Sequence, residues 1–146
     1  MYGDIGSYYT EISPDKLAQA HQWLRSEAKK LRGSRSGRLC IKRHGPKGVR
    51  WGRAYGTDHV EMDLDLLFDL LAWDYKHCCF RWGSDVILLQ KWGIAMGTPP
   101  APSNAIVVAA FMEMEWSWTV TQDSKLLTER FISCRFMDDT ATAVAY

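Results

Sequence analysis

The sequence predicts an α+β domain in which antiparallel strands pack on helices. Three observations lead there. Strand-like runs bounded by turn residues occur at both ends of the chain and in two central hairpins. Two long segments carry apolar residues at helical spacing. Hydrophobic residues make up 47% of the 146 residues, with seven Trp, six Tyr and five Phe, which suits one real core and argues against disorder.

Tyr2 to Ile12 reads as a strand and turn. Asp4 lies inside it, where an acid does not help a β core unless it has work to do. A solvent-facing Asp on a frayed terminus is the plainer reading. Ser13-Pro14-Asp15 is a helix start, with a capping hydroxyl, a proline in the first turn and an acid near the positive end of the dipole. Leu17, Ala20, Leu24, Ala28 and Leu31 then recur at helical spacing as far as Gly33, and Arg25, Lys29, Lys30 and Arg32 make the far end basic.

Leu39–Arg43 and Val49–Trp51 read as a hairpin whose loop, Gly45-Pro46-Lys47-Gly48, suits a type I turn. Cations alternate with apolar residues there, so one face is expected to be cationic. Such a face is either solvated or a contact for a phosphate backbone. A second helix runs from Asp63 to about Tyr75, with Met62, Leu66, Leu67, Leu70, Leu71 and Asp74 on one stripe and Asp65 and Asp69 expected on its wet face. His77–Trp82, Gly83-Ser84 and Asp85–Gln90 read as a hairpin with a type II′ turn.

Gln90 to Ser103 is unusual: two glycines and three prolines between a strand and a helix. Prolines fix φ and glycines admit close approach, so this loop is built to hold a shape. Ser103 is expected to cap a helix from Asn104 to about Trp118 that buries Ile106, Val107, Ala110, Phe111 and Met114. Gln122-Asp123-Ser124 reads as a break. Phe131–Arg135 and Thr140–Val144 then form two strands joined by Phe136-Met137-Asp138-Asp139. Adjacent carboxylates in a turn are common for backbone reasons. They are also hard oxygen donors that suit Mg²⁺, hence half of a metal site.

The net charge of +1 hides an asymmetry. Arg25 to Arg53 holds eleven Lys/Arg and one acid, Glu27; from Ala54 onward thirteen acids face six bases. A polyanion partner for the basic part follows from that imbalance. Cys40, Cys78, Cys79 and Cys134 lack the paired spacing of a zinc site and suit buried thiols in a reducing, intracellular compartment, nuclear or cytoplasmic. The longest apolar run, Ala105 to Met112, is far short of a membrane span.

Three stretches fall in one order: the strand with Asp4, the Gly/Pro loop with its helix, and the Asp-Asp hairpin. Together they resemble the palm of reverse transcriptases, especially Penelope-like retroelement enzymes. Asp4 with Tyr9 resembles the family's first motif, an Asp followed five residues on by an aromatic. Gln90 to Ser103 resembles the second, and Phe136-Met137-Asp138-Asp139 the third. The resemblance spans almost the whole chain. It departs at position 106, where the family's Asn is replaced by Ile106 with Asn104 nearby, and residues 32–58 match nothing in the family and read as a lineage-specific basic insertion.

The resemblance implies a polymerase palm, residues 1–146, that lacks the family's fingers and thumb and is inactive in isolation. It implies RNA-directed DNA synthesis on an RNA template and a DNA primer, with dNTP as substrate and two Mg²⁺ ions, or Mn²⁺, as cofactors. Asp4 and Asp138 would bridge the metals, Asp139 would support them, and the Ile5 carbonyl would complete one shell. Tyr9 would exclude a 2′-hydroxyl, with Tyr8 as the competitor if the register slips by one. Gln90, Gly93, Met96 and Gly97 would line the nucleotide and template side. The alternatives are an RNA-dependent RNA polymerase, which Tyr9 disfavours, and a non-catalytic nucleic-acid-binding remnant of a retroelement.

Overall fold

A computed structural model describes the backbone of residues 2–4, 8–33, 35–44, 48–120, 131–136 and 139–144, and the side chains of 8–33, 35–44 and 48–119. The architecture is mixed α+β, with small antiparallel sheets and helices. The element order is β1 (Tyr2–Asp4), α1 (Tyr8–Glu11), α2 (Pro14–Arg32), β2 (Arg38–Lys42), β3 (Val49–Trp51), β4 (His59–Asp63), α3 (Leu64–Lys76), β5 (Cys79–Trp82), β6 (Val86–Leu89), α4 (Ala101–Val120), β7 (Phe131–Phe136) and β8 (Asp139–Val144). Two three-stranded sheets have the orders β1-β8-β7 and β3-β2-β4, and β5 pairs β6 alone. Among the described residues no helix is long and apolar enough to cross a membrane.

Capping fixes the helix ends. The Ser13 hydroxyl accepts from the Lys16 N–H, Pro14 fills the first turn, and Gly33 closes α2 at φ 57°. Asp63 caps α3 by accepting from the Asp65 and Leu66 amides. The core lies where α1, α2 and α4 meet: Tyr8, Ile12, Leu17, Ala20, Ile94, Ala101, Ala105, Val108, Ala109 and Phe111 are buried together. Ala20 opposite a run of alanines on α4 removes side-chain bulk, which lets two helices approach closely.

Several expectations need correction. Tyr8 to Glu11 is helical and does not extend the first strand. Helix α4 starts at Ala101, so Ser103 is no cap: the Asn104 N–H already donates to the Pro100 carbonyl at 2.8 Å. Prolines cost nothing in a first turn whose amides have no helical acceptor. The buried face of α4 runs through Ala101, Ala105, Val108, Ala109 and the expected Phe111, whereas Ile106 is exposed. On α3, Leu66 and Leu70 are exposed while Leu64 and Phe68 are buried. The reason is electrostatic as well as apolar. Arg25 of α2 reaches Asp65 at 2.6 Å and Asp69 at 3.3 Å, and Lys29 reaches Asp65 at 3.1 Å, so both acids turn toward α2.

The β5–β6 hairpin closes with Trp82 opposite Val86, which leaves a three-residue loop and not the two residues of a type II′ turn. All eight of its strand residues are exposed. Of the cysteines with described side chains, Cys40 is buried, Cys78 half-buried and Cys79 exposed, all as free thiols. The Gly45–Lys47 turn and the Gln122–Ser124 break lie outside the described residues.

Candidate active site

The acidic hairpin forms as the alternating β-branched and aromatic residues require. β7 and β8 pair from Phe131↔Val144 to Phe136↔Asp139. β1 lies on the other edge of β8, antiparallel, with Tyr2↔Ala141, Gly3↔Thr140 and Asp4↔Asp139. The two ends of the chain thus meet in one sheet, and Asp4 is the direct cross-strand partner of Asp139. Cross-strand partners share a sheet face, with Cβ atoms generally about 4.5–5.5 Å apart. Like charges at such positions destabilise a sheet unless a cation compensates them. Ile5 and Asp138 fall outside the described residues, and so do the side chains of Asp4 and Asp139. Among the described side chains no group of three or more His, Cys, Asp or Glu could hold a metal ion.

The Gly/Pro loop docks on the segment that follows Asp4. The Ile94 N–H donates to the Tyr9 carbonyl at 2.7 Å, and the Gly93 N–H donates to the Ile12 carbonyl at 3.1 Å. Gly93 has φ 77°, and a Cβ there would stand 2.9 Å from the Tyr9 carbonyl oxygen and 3.1 Å from the Thr10 Cα. Glycine is needed on both counts. Only three residues separate Asp4 from Tyr8, so their Cα atoms lie at most about 14 Å apart. The second stretch of the sequence is therefore anchored within short reach of the first.

The tyrosine pair divides its roles. Tyr8 is 6% exposed and its hydroxyl donates to the Ala105 carbonyl at 2.6 Å, which locks it into α4. Tyr9 is half-buried, with its ring edge-on to Tyr8 at 5.9 Å. Of the two, Tyr9 keeps the accessible surface. Gln90 bends back on its own loop, its amide donating to the Trp92 carbonyl at 2.9 Å, so it holds the loop's shape. Met96 is 71% exposed, and Gly97 lies beside it at φ 93° with open space around it. Thr98 closes the turn through its hydroxyl on the Ala95 carbonyl at 3.0 Å.

No family model, curated protein or solved structure matches this chain.

One pair of residues escaped the sequence. His21 and Asn104 are both buried, with the His21 Nε2 donating to the Asn104 Oδ1 at 2.9 Å. The His21 Nδ1 has no hydrogen-bond partner among the described residues. Burial lowers the His21 pKa, opposed in part by the bond to Asn104. Its position four residues after Leu17, on the buried face of α2, was the available signal. The pair ties α2 to the start of α4, just behind the Gly/Pro loop.

Proposed function

We propose that the chain is the palm of an RNA-directed DNA polymerase, adding deoxynucleotides to a primer 3′ end on an RNA template. The observation that carries this reading is the cross-strand pairing of Asp4 with Asp139, two acids from opposite ends of the polypeptide. The docking of Gly93 and Ile94 on the Tyr9–Ile12 segment supports it, because it joins the remaining stretch of the resemblance to the same place.

The donor set fits the implied metals: clustered carboxylates are the hard oxygen ligands Mg²⁺ takes. Asp4, Asp138 and Asp139, with the Ile5 carbonyl, would hold two Mg²⁺ ions, or Mn²⁺ in their place. When bound, such ions stabilise charge on the attacking and leaving oxygens of phosphoryl transfer. The protein's own part is positioning. The α1 turn presents Tyr9 as the ring that would stand against a 2′-hydroxyl, with Tyr8 held in the core behind it. The loop from Gly93 to Pro100 would shape the nucleotide and template side.

Mn²⁺ titration followed by electron paramagnetic resonance tests the acidic centre. The wild-type chain is expected to bind. Asp4→Asn, Asp138→Ala and Asp139→Asn should each weaken binding roughly tenfold or more, the scale on which lost ligands act at metal sites. Asp85→Asn, in an exposed loop, should not. Equal binding by all variants would remove the metal site and the polymerase reading with it. Within a longer polypeptide carrying fingers and thumb, Tyr9→Val is expected to relax rejection of ribonucleotides during primer extension on RNA. Unchanged rejection would count against Tyr9 as the sugar gate.

A further inference from the structure

From Ala28 to Thr57 the chain carries ten Lys/Arg and no Asp or Glu. These cations fall into two groups. On α2, Lys29 pairs with Asp65 on α3 alongside Arg25, and Lys30 pairs with Glu27, whereas Arg32 has no carboxylate within ion-pair distance among the described residues. On the β3-β2-β4 sheet only Arg38 has a carboxylate partner, Glu61, among the described residues. Strand alternation puts Arg38, Cys40 and Lys42 on one face of β2, with Arg50 and Glu61 flanking Cys40 and His59 flanking Lys42. The opposite face carries Leu39, Ile41, Trp51 and Met62.

Both acids of this sheet are already engaged, and neither meets Lys42 or Arg50. Asp63 caps α3. Glu61 accepts from the Ala54 N–H at 2.7 Å through one oxygen and from Arg38 at 2.9 Å through the other. Lys42, Arg50 and Arg53 have no carboxylate within ion-pair distance among the described residues. The loop that Glu61 holds down brings Tyr55 over the same face. Tyr55 is 74% exposed, and the Arg50 guanidinium stands 4.9 Å from its ring centroid. That stack covers one side of the ring with a cation.

We infer that this face binds single-stranded nucleic acid, with phosphates on Lys42, Arg50 and Arg53 and a base stacked on Tyr55. Unmatched cations beside an exposed aromatic ring are what a single strand offers partners for: a charged backbone and unpaired base faces. The charge argues for a polyanion, and the ring argues against a duplex, whose bases are already stacked. This surface owes nothing to the acidic centre, so it stands or falls separately from the polymerase reading.

The test is fluorescence anisotropy on the full chain in EDTA, with labelled mixed-sequence RNA and DNA single strands, a matching duplex and a polyglutamate peptide. Lys42→Gln/Arg50→Gln/Arg53→Gln is expected to weaken single-strand affinity roughly tenfold or more. The slope of log K on log salt should drop by about 2, at roughly 0.7 per phosphate lost. Tyr55→Ala should cost about fivefold or more for single strands and nothing for the duplex. The control Lys76→Gln/Arg81→Gln should bind as wild type does. Circular dichroism confirms that each variant is folded. Unchanged affinity in the triple variant overturns the proposal, as does polyglutamate bound as tightly as the single strand. A duplex bound equally well, with Tyr55→Ala silent, overturns the single-strand assignment.

Discussion

The helical core and the middle of the chain are built on different terms. Tyr8 to Ala20 and Ile94 to Phe111 supply every member of the main buried cluster, although they are far apart in sequence. Residues 35–90 contribute only Cys40, Leu64 and Phe68 to the buried apolar residues among those described. What joins the two regions is mostly polar: Arg25 and Lys29 on Asp65, Arg25 on Asp69, and His21 edge-on to Phe68 and Tyr75. Exposed ion pairs contribute little each, whereas apolar burial scales with area. The core should therefore be sensitive to single atoms, and the middle region should tolerate much larger changes.

The largest effect is expected where the loop enters the core. Gly93→Ala must place a Cβ 2.9 Å from the Tyr9 carbonyl oxygen at φ 77°, whereas Gly97→Ala at φ 93° meets nothing within 4 Å. Both carry the backbone strain of a positive φ, about 1–2 kcal/mol. Only the first adds a clash with backbone, worth another ~1–3 kcal/mol. Urea denaturation of the two variants isolates the difference. Equal destabilisation would mean that the loop is not pressed against α1, and the contrast between core and middle would weaken.

The glycine itself was visible in the sequence, and so was the reason for it: a loop of prolines and glycines is made to hold a shape. Its partner was not visible, because the Tyr9 carbonyl belongs to a segment that reads as a strand. Strand and helix assignments succeeded where caps punctuate the chain, as at Ser13 and Asp63. They failed where phase had to be chosen among many apolar residues. On α3, five leucines and a phenylalanine allow several stripes, and the one that buries Leu64 and Phe68 is set by packing against neighbours such as His21, with the ion pairs from α2 adding to it. On α4, reading Ser103 as a cap gave a late start, although a first turn tolerates Pro102. The cross-strand partnership of Asp4 and Asp139 could be supposed from motif order, but its register is a tertiary fact.

A smaller and conditional effect belongs to the joint between the two regions. Asn104 Oδ1 only accepts, so the His21 Nε2 carries the hydrogen and an added proton would go to the buried Nδ1. Burial holds the folded-state pKa below the ordinary 6.5. Between those two values the unfolded chain binds a proton that the folded chain refuses, so stability falls as pH falls through this window. Above 6.5 the contribution is constant, and below the folded value it is lost no further. The slope from one proton is at most about 1.4 kcal/mol per pH unit. Asp65, whose pKa is lowered by its bonds to Lys29 and Arg25, stays ionised throughout. Urea midpoints between pH 7.5 and 5 should decline in wild type and decline less in His21→Gln. Parallel slopes would clear His21 of the effect.

The smallest effect on the core is expected from the largest cut. Arg38 and Asp63 are Cα partners across β2 and β4, so the chain leaves and returns at adjacent points. Antiparallel partners generally lie about 4.5–5.5 Å apart, a gap that a two-residue hairpin loop closes. Replacing Leu39–Met62 by Gly-Gly removes the cationic sheet and the buried Cys40, but touches no member of the main cluster. The capping carboxylate of Asp63 and the ion pairs of α3 stay in place. The variant should still unfold cooperatively by circular dichroism, with a midpoint within about 5 °C of wild type, which corresponds to roughly 1 kcal/mol. It should also lose single-strand binding while keeping its affinity for Mn²⁺. A broad, non-cooperative transition would show that the sheet is part of the core's folding unit after all, and that α3 is held on α2 from the sheet side as well as by its charges.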